Sequence, residues 1–217
     1  MQTPYSQGVD DPVAFFEAIA LRYDRDFAWP ASESRPRVAK MLETLGTAPC
    51  EVLDLGIGTG RELPALLDAG HRVQGMDSSP TMIAECNRRA RTVPIAIGDF
   101  YAGLPWPDAT FDAVIALHGT LTHPPDREAS ARALFAEIAR VLRPRGLVYF
   151  EVPHPRALLH LEREGEDGFV ARDPRSGVRL RGVAWPSATW SALASAFALE
   201  ERPAPSAYEL VLAGRRR

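Results

Sequence analysis

Apolar residues in the first 45 positions recur every three or four places: Val13, Phe16, Ile19, Ala20 and Tyr23, then Val38, Met41, Leu42 and Leu45. That helical period predicts a helix over 11–24 behind Asp11-Pro12 and another over 36–45 stopped by Gly46. From residue 50 the period changes. Short apolar runs closed by glycine, aspartate or proline read as buried strands over 50–55, 71–77, 94–98, 111–117 and 147–152. Helical segments over 61–69, from Ser78-Ser79-Pro80 to about 91, and over 128–142 lie in the gaps. Parallel neighbours need crossovers of about a dozen residues, and spacers of this kind supply them. After a predicted helix over 190–198, strands over 199–202 and 208–213 are separated only by residues 203–207 and must pair antiparallel. The pattern predicts an α/β chain, a three-layer Rossmann-like sandwich with a mostly parallel sheet of seven strands and an antiparallel C-terminal strand.

Length and composition narrow the picture. With 217 residues, 46% hydrophobic, one domain is expected, divided into an N-terminal helical lid (1–46), a core (47–153), an insert (154–186) and a C-terminal helix and hairpin (187–217). The insert is polar and its charges nearly balance; its 172–178 stretch reads as a turn between two strands, either a flap over a substrate opening or a solvated excursion. Net charge is −3, so no basic field draws the chain toward nucleic acid or an anionic membrane. Lys40 is the only lysine among 25 cationic residues, a skew read as coding bias. Two cysteines, Cys50 and Cys86, make no disulfide framework, and the N-terminal segment lacks the order of a signal peptide, so a cytoplasmic location is expected.

The candidate chemistry sits at the strand ends, where open α/β sheets bind ligands. Gly56, Gly58 and Gly60 fall as G-x-G-x-G after the first strand, with Arg61 where a dinucleotide fingerprint has its third glycine. Asp77 closes the second strand, placed either to accept ribose hydroxyls or to cap the next helix. Asp99 closes the third, followed by Phe100, a pair suited to an adenine amino group and ring edge.

Taken together, VLDLGIGTG, GMDSSPTMI, IAIGDF, FDAVIALHGTLTH and ALFAEIARVLRPRGLVYFEVP resemble the class I S-adenosylmethionine-dependent methyltransferases of the small single-domain kind. The family more often has Gly-Gly where this chain has Arg145-Gly146. The resemblance implies S-adenosylmethionine as cofactor and S-adenosylhomocysteine as product. It implies that Gly56, Gly58 and nearby backbone cradle the methionine portion, and that Asp77 holds the ribose. Met82 would pack on the adenine, unless it is an ordinary core methionine, while Asp99 and Phe100 line the adenine edge. Leu117 and His118 would face the methyl group, and Tyr23 with Arg61 would close the carboxylate end. Asp54, Ile57, Gly60 and Ser78 complete the implied cofactor-binding set.

Methyl transfer asks for an aligned nucleophile and, where that nucleophile must lose a proton, a base. His118 and His123 are the candidates, as bases or as groups that orient substrate. His154, His160 and Glu151 lack metal-ligand spacing, so no metal is expected. The expected reaction is methyl transfer to oxygen, nitrogen or carbon of a small molecule. RNA or protein methylation would call for a basic surface, and a non-catalytic nucleotide- or NAD-binding module is the alternative outside enzymes.

Overall fold

The first strand forms where Val52, Leu53 and Leu55 bury on both faces of a sheet, and the rest of the sheet grows outward from it. The structure, a computed structural model, describes residues 11–27, 31–89 and 93–217. Helix α1 (Pro12–Ile19), a short 3-10 turn and α2 (Tyr23–Asp26) precede α3 (Ala31–Leu45). Then β1 (Glu51–Leu55), α4 (Leu63–Asp68), β2 (Arg72–Asp77), α5 (Pro80–Arg89), β3 (Ile95–Ile97), β4 (Phe111–Ala116), α6 (Arg127–Val141) and β5 (Leu142–Pro153) alternate. Strands β6 (Glu162–Glu164), β7 (Gly168–Arg172) and β8 (Arg179–Val183) follow, and α7 (Ser187–Leu193), β9 (Phe197–Arg202) and β10 (Glu209–Arg216) close the chain.

The main sheet has seven strands in the order β3-β2-β1-β4-β5-β10-β9. All neighbours pair parallel except β10, which runs antiparallel to both β5 and β9. Side chains alternate across it with period two. On β5, Val148, Phe150 and Val152 pack toward α6 and α7, where Phe135, Ile138 and Trp190 meet them. Leu147 and Tyr149 face the other way, toward Met41 of α3 and Leu63 and Leu66 of α4. Each such fully buried side chain contributes about 1.5–3 kcal/mol of transfer free energy. The same alternation turns Asp54 and Glu151 toward the α3–α4 side, where the chemistry described below collects.

Several boundaries differ from the sequence expectation. Helix α3 begins at Ala31, so Pro36 lies within it and not at its start. Pro36 withholds one backbone N–H, and the helix runs on because Arg37 and Met41 are anchored in the interior. Helix α7 stops at Leu193, short of the expected 198, because Phe197 and Ala198 are drawn into the edge strand opposite Arg216 and Arg215. The stretch of α5 expected to reach residue 91 lies partly outside the described residues. Arg145, where the family favours glycine, adopts φ +63°, the left-handed region that glycine enters without strain.

The insert is a three-stranded antiparallel sheet, β6-β7-β8, one strand more than the expected hairpin. Asp173 forms its turn by accepting from the Ser176 N–H at 2.8 Å. This small sheet packs on α1: Leu180 joins Phe15, Ile19, Ala20 and Met82 in one apolar cluster, and Arg22 pairs with Asp173 at 2.6 Å. Helix α1 is in turn fastened to α5 by Glu17, which accepts from the Thr81 N–H at 3.0 Å, from the Ser79 hydroxyl at 2.5 Å and from the Thr81 hydroxyl. A carboxylate at a helix N-terminus satisfies donors with no partner in the helix. Glu17→Ala is therefore expected to cost about 1–2 kcal/mol in a denaturant titration, with Glu17→Gln recovering part of it.

Candidate active site

The turn between β1 and α4 is built on backbone conformations that glycine adopts freely. Gly56 has φ +67°, and a Cβ there would lie 2.4 Å from Thr120 Cγ2. The Gly56 and Ile57 N–H groups both donate to the Met76 carbonyl, at 2.7 and 3.2 Å, which folds the turn back against the end of β2. There Asp77 accepts from the Gly58 N–H at 2.8 Å and from the Ser79 N–H at 2.9 Å. Ser79 itself caps α5, its hydroxyl accepting from the Met82 N–H at 3.1 Å. Asp77 thus both steadies the helix start and lines a cavity of about 290 Å³ at the carboxyl ends of the strands.

That cavity gathers nearly every residue singled out from the sequence. Tyr23, Asp54, Gly56, Ile57, Gly58 and Arg61 line it, as do Asp77, Ser78, Met82, Asp99, Phe100, Leu117, His118 and His123. Gly60 does not. A Cβ at Gly60 would lie 2.5 Å from Cys86 Sγ, so its smallness serves the packing of the turn against α5. Met82 belongs to the apolar cluster under α1 and also borders the cavity.

Electrostatics give the cavity a direction. Asp54 is buried, and that burial, with Glu62 and Asp77 close by, holds its carboxyl well above the ordinary range. Burial also raises Asp77, against the hydrogen bonds from Ser79 and Gly58. Asp99 is raised by burial; its Oδ1 accepts from the Tyr101 N–H at 2.8 Å, while its buried Oδ2 has no partner. Carboxyls this crowded favour a ligand that brings positive charge or N–H donors.

Just beyond β4, His118 has φ +53°, an uncommon conformation for a side chain of its size and one often found at functional sites. Its Nε2 donates to Glu62 Oε1 at 2.7 Å. Burial works to raise Glu62, but the hydrogen bond with His118, with the charge of Arg61 nearby, outweighs it and holds the carboxyl below its ordinary value. His118 Nδ1 is buried without a hydrogen bond, 3.8 Å from Glu151 Oε2. His123 donates from Nδ1 to the Arg181 carbonyl at 2.6 Å and sits between the Phe16 and Phe169 rings. Burial lowers its pKa to about 4, so it is neutral at pH 7.

Glu62, Phe16 and Thr120 also border the cavity and were not singled out from the sequence. Glu62 follows the glycine turn directly, a signal too weak alone. Behind His118 lies a second unforeseen group: Arg37 of α3, buried, donates to Glu151 at 2.7 Å and to both oxygens of Glu209 at 2.8 and 2.7 Å. Over the glycine turn, Asp24 accepts from the Thr59 hydroxyl at 2.7 Å and pairs with Arg61 and Arg89. Among the described residues, no three His, Cys, Asp or Glu side chains group to hold a metal ion, and no helix is long and apolar enough to cross a membrane.

Residues 52–146 match the family model of the methyltransferase domain. The demethylmenaquinone methyltransferase of Tropheryma whipplei strain Twist is 33% identical over 156 residues, covering 65% of this chain and 59% of that protein. An 18S rRNA (guanine-N(7))-methyltransferase of Bos taurus is 42% identical over 69 residues, 32% of this chain and 25% of that one. The chain thus spans between a quarter and about three fifths of these curated relatives. Among solved structures, PH0226 from Pyrococcus horikoshii OT3 superposes with TM-score 0.72 at 25% identity over 90% of this chain and 99% of that one. A DhpI complex with SAM and HEP superposes with TM-score 0.74 at 24% identity over 98% of this chain and 100% of that one, a likeness of fold. With its sheet order, its glycine turn and the acids that follow at successive strand ends, the chain has the Rossmann-like methyltransferase fold and over residues 52–146 matches the methyltransferase domain.

Proposed function

We propose that this protein transfers a methyl group from S-adenosylmethionine to a small-molecule nucleophile. The observation that carries the reading is the convergence of the glycine turn, Asp77 and the unpartnered Asp99 Oδ2 on one cavity. Asp77 would accept the ribose hydroxyls, Asp99 Oδ2 the adenine amino group, and Met82 and Phe100 would hold the ring. The raised carboxyl of Asp54 suits the cationic amino-acid end, with Tyr23 and Arg61 over it. When bound, the cofactor supplies a methyl group already activated on a sulfonium. The protein's work is alignment, for which proximity supplies on the order of 7–11 kcal/mol.

A small acceptor is favoured by the demethylmenaquinone methyltransferases and the malonyl-[acyl-carrier protein] O-methyltransferase of Halorhodospira halophila among the relatives, and by the absence of a basic field. Helices α1 and α2 and the 154–186 insert form the lid, clasped by Arg22 and Asp173. His118, oriented by Glu62, faces the reacting atoms, and neutral His123 shapes the wall that α1 and the insert share.

At 100 times its Kd, S-adenosylhomocysteine is expected to stabilise the protein by about 2.7 kcal/mol, read as a thermal shift. Stabilisation by NAD alone would contradict the reading. His118→Ala is expected to lower kcat by about 10²-fold with little change in cofactor Kd; equal losses in both would assign His118 to cofactor binding instead.

A further inference from the structure

Beyond the cofactor cavity, and sharing Tyr23, Arg61 and His118 with it, lies a second cavity of about 450 Å³, bordered on its far side by Glu151, Glu209, Phe27 and Tyr208. The shared residues make it the natural place for the methyl acceptor, an assignment that rests on the methyl-transfer reading above.

Two buried polar atoms on this wall lack hydrogen-bond partners: Glu151 Oε1 and His118 Nδ1. Glu151 is 1% exposed. Both atoms belong to one spot, since Nδ1 lies 3.8 Å from the other oxygen of the same carboxylate. Glu151 Oε1 is an acceptor. His118 Nδ1 is one too when the ring carries a single hydrogen, since Nε2 then holds it against the Glu62 carboxylate at 2.7 Å. A ligand that satisfies this wall has to bring hydrogen-bond donors, and an ammonium brings two or three on one atom.

Charge points the same way. Among the described residues, Arg37 stands behind two carboxylates, Glu151 and Glu209, so one negative charge is in surplus there. The cation that borders the cavity, Arg61, is committed to Asp24 at 3.2 Å and to the Phe27 carbonyl at 3.1 Å. At the rim, the Phe27 and Tyr208 rings are 46% and 45% exposed, with π surface for a cation or a hydrocarbon skirt.

We infer that the acceptor is a primary or secondary amine, bound as its ammonium by Glu151 Oε1 and His118 Nδ1 with its hydrocarbon part against Phe27 and Tyr208. The ammonium gives one proton to Glu151 Oε1, which frees the nitrogen lone pair. That pair forms the N–CH3 bond as the C–S bond of the sulfonium breaks, its electrons remaining on sulfur. The product leaves as the methylated ammonium, and Glu151 returns its proton to solvent. Burial raises Glu151 above its ordinary value, against the nearby charge of Arg37, which suits it to take that proton.

The test is calorimetric binding of three ring-matched probes, 2-phenylethylamine, 4-ethylphenol and 3-phenylpropionate, to protein saturated with S-adenosylhomocysteine. The amine is expected to bind at least tenfold more tightly than the other two. Glu151→Gln should remove most of that margin, and Tyr208→Ala, at the exposed rim, should weaken the amine severalfold. An amine that binds no better than the phenol or the carboxylate overturns the inference. Failure of S-adenosylhomocysteine to bind overturns the methyl-transfer reading instead, and the same probes titrated without it then decide the amine question separately.

Discussion

Replacing Asp77 with alanine is expected to raise the Kd for S-adenosylhomocysteine by at least about 100-fold in a calorimetric titration. Two hydrogen bonds from ribose hydroxyls to a carboxylate are worth about 1.5–3 kcal/mol each, which makes a hundredfold loss the lower bound. The substitution also strips the Gly58 and Ser79 N–H groups of their acceptor, so the glycine turn loosens where the methionine portion would lie. Asp77→Asn keeps one acceptor oxygen and should fall between alanine and wild type. Because burial raises Asp77, it takes up a proton at a higher pH than an ordinary aspartate, and cofactor affinity should decline as the pH falls through that range. An unchanged Kd for Asp77→Ala would remove the ribose role.

Arg37→Ala carries the largest expected loss of stability, about 3–5 kcal/mol by denaturant midpoint at constant slope. The guanidinium, 2% exposed, serves Glu151 and Glu209 together, and its removal leaves two carboxylates facing a low-dielectric interior. Arg37→Lys offers one ammonium where the fork meets two partners, so it should recover only part. The pH dependence has a definite sign. Glu151, faced by Arg37, Glu209 and His118, is already raised by burial, and losing Arg37 raises it further. A carboxyl raised in the folded state costs stability only while ionised, so the deficit of Arg37→Ala should shrink as the pH is lowered through the folded pKa. A deficit that grows on acidification would mean that the cluster is not electrostatically coupled to the fold.

Both predictions concern carboxylates on the same side of one sheet, and they differ in how visible they were beforehand. Asp77 announces itself: it ends an apolar run, and a serine-serine-proline helix start follows. Arg37, in a helix of ordinary amphipathic pattern, does not. Glu62 is similar, an acid in a helix's first turn until the fold brings His118 to it.

The same division runs through the architecture. Strand and helix periods, spacer lengths and the close spacing of the last two strands were enough to predict a parallel sheet closed by an antiparallel strand, because these are local consequences of backbone geometry. Boundaries moved where a distant partner outbid local preference. Phe197 left a helical pattern to pair with Arg216, and Leu142 joined β5 directly from α6 opposite Phe111.

What the sequence alone determined, then, was the order of the elements and the glycine turn with its acids at consecutive strand ends, all short-range features of the chain. The tertiary structure alone decided the contacts around His118. Arg37 meets Glu151 and Glu209 across 114 and 172 residues, and His118 meets Glu62 across 56. Pairings at such separations leave no periodicity in the sequence, since they depend on which faces the completed sheet turns toward one another.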